Sequence, residues 1–119
     1  MKYMLLIHQG DTPTPRDPEA WARLPEEEQK AVFADYQAIN QTPGVTPGLQ
    51  LSEPASATTV RVEDGKTLTT DGPFVAVKEA LGGWLVYEAD DLDAAIELAA
   101  RIPAARMGGA IEVRPIVER

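Results

Sequence analysis

A chain of 119 residues with 44% apolar side chains is sized for one domain with a modest core and is too apolar for a disordered segment. Its 11 Lys and Arg against 19 Asp and Glu leave a net charge of −8, a surface that repels phosphate backbones, so nucleic acid is not an expected partner. Cysteine is absent, which excludes disulfides, thiolate nucleophiles and zinc–thiolate sites together.

Lys2 and the apolar run Tyr3 to Ile7 open the chain. The run is too short for a signal-peptide core and no small-residue cleavage site follows it, so a cytoplasmic protein is expected, with no membrane partner. Neither alternating set of that run is polar, which predicts a first strand buried on both faces, ending at His8. Asp17-Pro18-Glu19 is a helix start, with Asp17 as cap and Pro18 at the first position. Leu24-Pro25 interrupts, and Glu26, Glu27 and Glu28 open a second helical piece where the macrodipole favours carboxylates. Val32, Phe33, Tyr36 and Ile39 then share one face, up to the stop at Pro43-Gly44.

Leu49 to Ser52 reads as a short extended piece. Thr58 to Glu63 and Lys66 to Thr70 are β-branched segments joined by Asp64-Gly65, a pair that predicts a hairpin with a type I′ turn. Asp71-Gly72-Pro73 can continue neither a helix nor a central strand, and Phe74 follows it. Leu81 to Ala89 is the second strong strand, in which Gly82-Gly83 signals a bulge or the close approach of another group. Asp90-Asp91 opens a helix with Leu92, Ala95, Ile96, Ala99 and Ile102 on one face, and Pro103 ends it. Gly108-Gly109 leads into a last strand, Ile111 to Val117, in which Pro115 implies an edge position or an unpaired side at that point.

The order is strand, helix, strand, hairpin, strand, helix, strand. With the hairpin set aside it is an α+β, ferredoxin-like split βαβ pattern, whose two helices cover one face of the sheet. Two strands apolar on both faces require a cover for the other side, and a second copy of the chain would supply it, which predicts a homodimer with Trp84 or its neighbours at the interface. No repeat, low-complexity stretch or linker marks a second domain, so residues 1–119 read as one.

The blocks Met1-Lys2-Tyr3-Met4-Leu5-Leu6-Ile7, Thr58-Thr59-Val60-Arg61 and Thr69-Thr70-Asp71-Gly72-Pro73-Phe74 resemble the YCII-related superfamily, in its DGPF subgroup. The likeness runs on through Lys78-Glu79, Leu81-Gly82-Gly83, Asp91-Leu92-Asp93, Ile102-Pro103-Ala104-Ala105 and Ile111-Glu112-Val113-Arg114-Pro115. It implies a ferredoxin-like domain that dimerises into an α/β barrel. It also implies either an enzyme with a His–Asp pair in a cleft or a regulatory role beside an extracytoplasmic-function sigma factor. The sequence departs from the subgroup's pattern at Ala76 and Val77, where a Glu and a Thr are common, and at His8, where Tyr is usual.

His8 is the only imidazole. As a general base it needs an orienting carboxylate, and Asp71 is the natural candidate, so His8 and Asp71 form the expected catalytic pair. Asp71 could equally serve its own turn by accepting backbone amides. Phe74, Lys78, Glu79 and Trp84 are the candidate ligand-binding residues, although adjacent Lys78 and Glu79 point to opposite faces of a regular strand. One His and no Cys support no metal site. Haem on His8 is compatible with the resemblance, since some dimeric α/β barrels bind haem, but nothing else calls for it and no cofactor is expected. The expected function is a small-molecule enzyme doing Asp/His acid–base chemistry in a cleft. The alternative is a non-catalytic dimer that binds a ligand or regulates a sigma factor.

Overall fold

The structure is a computed structural model that describes residues 1–15, 17–52, 56–72 and 81–118. Strand β1 (Lys2–His8) lies at the centre because its alternate residues Tyr3, Leu5 and Ile7 are all apolar and all buried beneath the helices. β5 (Leu81–Glu88) runs antiparallel beside it, with Tyr3 opposite Tyr87, Leu5 opposite Leu85 and Ile7 opposite Gly83. β6 (Ala110–Pro115) flanks β1 on its other side, and β2 (Val45–Gln50) flanks β5. The sheet order is β2-β5-β1-β6. β5 is antiparallel to both β1 and β2, so the first βαβ unit is split by an inserted strand, and the chain has a ferredoxin-like α+β fold.

The helices form where the sequence caps them. Asp17 accepts a bond from Ala20 N at 3.3 Å to start α1 (Pro18–Ala22), and Asp91 accepts one from Ala94 N at 2.8 Å to start α3 (Leu92–Ala100). α2 (Glu26–Asn40) begins after Pro25 without a side-chain cap, and its three first-turn carboxylates stand against the helix dipole. Ile39 of α2 and Leu98 of α3 join Leu5 and Ile102 as the most deeply buried side chains. Each such burial stabilises the fold by about 1.5–3 kcal/mol.

Two details differ from the sequence reading. β2 starts at Val45, not Leu49, and runs through Pro47 and Gly48. The strand lies at the sheet edge, where a proline can leave its outer side unpaired, and its register slips between Pro47 and Gln50. On α3 the buried set is Ala95, Leu98 and Ala99, whereas Leu92 and Ile96 are about half exposed. The helix is rolled toward Leu98, which reaches the core under the sheet. Pro115 does lie on an edge strand, as expected.

The hairpin of β3 (Thr58–Glu63) and β4 (Lys66–Asp71) forms a sheet of its own. Its turn residues Asp64 and Gly65 have φ of 51° and 74°, the positive values that a type I′ turn requires at both positions. Val60, Val62 and Leu68 are exposed on it.

Candidate functional site

A cavity of about 300 Å³ opens between the helix-covered face of the sheet and helices α1 and α2. Its floor is Ile7 of β1 with Gly83 and Leu85 of β5. Ile7 and Gly83 face each other in the register, and the missing side chain at Gly83 leaves the floor low. A Cβ built there would meet only ordinary contacts, the nearest being Leu49 O at 3.6 Å. Neighbouring Gly82 is different, because the Gln9 side chain occupies the place of its Cβ. The register slips at this point between Ile7 and His8. The glycine pair thus marks both a bulge and a close approach.

The roof is aromatic. Trp21 of α1 and Phe33 of α2 meet edge to face, with ring centroids 5.5 Å apart and planes at 70°. Gln29 holds that arrangement by donating from Nε2 to Trp21 O at 2.9 Å and to Leu24 O at 3.2 Å, which ties the short α1 to α2. Tyr36 and Val32 continue the wall along α2, and Pro47 and Gly48 of β2 close it. Burial pushes the Tyr36 phenol up from its ordinary 10.0, a sign of low polarity around it. Polar capacity comes from the side chains of Gln9, Asn40 and Gln50. The Thr12 hydroxyl, also at the wall, is buried and has no hydrogen-bond partner among the described residues. No charged side chain lines the cavity among the described residues.

At the far end, Arg106 reaches back to α2 and pairs with Asp35 at 2.8 Å and with Glu28 at 3.6 Å. The clamp joins α2 to the loop after the single 3₁₀ turn Pro103–Ala105, next to the lining residue Met107.

His8 lies on the other face of the sheet, with Met4 and Leu6, and does not line the cavity. Its Nε2 is 3.1 Å from Glu112 Oε1, and Glu112 Oε2 is 3.5 Å from Arg114 Nε. The carboxylate beside His8 is therefore one supplied by β6, whose register sets Leu6 opposite Glu112. Asp71 is exposed at the end of β4, opposite Thr58, and it does not line the cavity either. The turn after it is held by Gly72 N donating to Ala57 O at 2.7 Å and by Thr59 Oγ1 donating to Gly72 O at 2.8 Å. Of the candidate ligand-binding residues, Trp84 borders the cavity through its place in β5, but its position opposite Leu6 sets its ring on the face that carries His8. Phe74, Lys78 and Glu79 fall outside the described residues.

Trp21, Gln9 and Glu112 were not signalled by the sequence. Trp21 sits in a five-residue helix with no apolar period to orient it, and Glu112 needs the β1–β6 register to reach His8. No group of three or more His, Cys, Asp or Glu is placed to hold a metal among the described residues.

The family model for the YCII-related domain matches residues 1–119. The chain belongs to the YCII-related domain family. It is also similar to the uncharacterized protein R00369 of Rhizobium meliloti, 30% identical over 121 residues that span 98% of this chain and 92% of that protein. Neither likeness assigns a reaction to this YCII-related chain. No described helix is long and apolar enough to cross a membrane.

Proposed function

We propose that this YCII-related protein is a cytoplasmic small-molecule binding protein that works as a homodimer, with the ligand in the cavity between sheet and helices. The observation that carries this reading is the cavity itself: a preformed, mostly apolar space with a few amide groups along its wall. The assignment of Phe74, Lys78, Glu79 and Trp84 to ligand binding rests on the sequence, and of these Trp84 borders the cavity. The dimer is supported by the face of the sheet away from the helices, where the apolar Met4, Leu6, Trp84 and Val86 remain partly exposed. A place in a sigma-factor circuit, as the Asp71-Gly72-Pro73-Phe74 block suggests, would make the bound ligand a signal.

Acid–base catalysis is the second reading, favoured by the 3.1 Å contact that gives His8 an orienting carboxylate at Glu112. Asp71 would then act from the hairpin as the other half of the expected pair. A thermal-shift screen of metabolites on wild type, Gly83→Leu, His8→Ala and Asp71→Asn separates the readings. Under the binding reading a compound stabilises wild type and the His8 and Asp71 variants but not Gly83→Leu, and it is recovered unchanged. Turnover that disappears in His8→Ala would hand the case to the enzyme.

A further inference from the structure

The cavity is more selective than its size alone implies. Its volume of about 300 Å³ lies in the range of small-molecule sites. A bicyclic ring system with a small substituent fits such a space. The roof and side wall carry the rings of Trp21, Phe33 and Tyr36. The floor is flat at Gly83, between Ile7 and Leu85. Rings above and bare backbone below leave an apolar space in which a planar ring meets Gly83 with its face and the edge-to-face Trp21–Phe33 pair with a face or an edge. We propose that the site takes a flat, uncharged aromatic molecule carrying one or two hydrogen-bonding groups, seated on Gly83 beneath the Trp21–Phe33 pair. This assignment rests on the cavity being the ligand site.

Charge is disfavoured for a physical reason. A charge carried into an apolar space without a partner loses its hydration and gains nothing in return, and no described lining residue offers a counter-charge. The upward push on the Tyr36 phenol is the same penalty acting on a group of the protein. Uncharged polar groups fare better, because the amides of Gln9, Asn40 and Gln50 can donate or accept as the ligand requires. Flatness is favoured because stacked and edge-on aromatic contacts depend on planar faces.

The chain has two tryptophans: Trp21 stands in the cavity roof, so its indole N–H signal in a nitrogen–proton correlation spectrum reports on the site, while Trp84, opposite Leu6 on the other face of the sheet, gives the reference signal. Four probes of one carbon framework decide the class: naphthol, naphthoate, naphthylmethylammonium and the saturated decalol. The expected result is that naphthol moves the Trp21 indole signal to saturation, while each of the others binds at least about tenfold more weakly. Gly83→Leu, which fills the floor, should abolish the naphthol response. Phe33→Ala, at a ring that is 59% exposed and so dispensable for folding, should weaken it. If a charged probe matches naphthol, the neutral class is wrong although the cavity still binds. Equal binding of decalol would overturn the preference for a flat ring. If none of the four moves the Trp21 indole signal, the cavity is not the ligand site and the binding reading falls with it.

Discussion

The phenol of Tyr36 carries a record of its surroundings. Burial favours its neutral form, so its folded-state pKa stands above the 10.0 of the unfolded chain. The resulting stability is present in full below pH 10 and is lost as pH rises through that value, because the unfolded chain releases its proton first. Tyr36→Phe should therefore change stability at neutral pH by no more than about 1 kcal/mol. It should also remove part of the alkaline loss seen in urea titrations across pH; an unchanged alkaline slope would show that Tyr36 does not contribute. The pair of His8 and Glu112 behaves differently. Its side chains are 27% and 46% exposed, so water screens it. Glu112→Gln should cost at most about 1 kcal/mol in the same assay. A larger loss would mean that the contact is covered by something the single chain lacks, such as a second copy.

Among the elements, β2 depends on a residue with no side chain. A Cβ at Gly48 would run into the Trp84 carbonyl and come within 2.6 Å of two carbons of its ring. Gly48→Ala must push β2 off β5 or turn the Trp84 ring, at a cost of about 1–3 kcal/mol. Calorimetric melting measures the cost, and a Tm within error of wild type would show that the edge can shift freely. The same substitution should reshape the cavity wall, since Pro47, Gly48 and Trp84 all belong to it. The β3–β4 hairpin poses the opposite problem. Two strands alone are marginal in water, and Val60, Val62 and Leu68 gain little from their own sheet. Its type I′ turn sets the register but cannot hold the strands by itself.

For the whole molecule, shape is the informative quantity. The radius of gyration is 16.1 Å, against about 13–14 Å for a compact chain of this length. The accessible surface is 8149 Å², against about 6,300 Å² for a compact monomer of this mass. The difference is more than the roughly 800 Å² that a standard interface takes from each partner. A dimer that covers the open sheet face and the hairpin would absorb it. Sedimentation equilibrium should give twice the mass of 12.9 kDa at micromolar concentration. Amide exchange should then show protection along β3 and β4. A monomer with rapid exchange in both strands would remove the dimer from the account.

Sequence by itself determined the element order and most of the element ends. Those depend on local physics: the cap at Asp91, the stop at Pro103, the Asp64-Gly65 turn and the alternation along β1 each act within a few residues. Membership of the YCII-related family was legible for the same reason, since short motifs survive as local patterns. The site was only partly legible. Gly82-Gly83 signalled an irregular spot, and Phe33 and Tyr36 fell on the apolar face of α2, but nothing local ties them to Trp21 or Gln9. Tertiary structure decided that, because a cavity is the space left between elements distant in the chain. It also decided which carboxylate stands beside His8: strand register, set by the packing of Leu5 against Leu85 and Val113, brings Glu112 there and leaves Asp71 at the end of the hairpin.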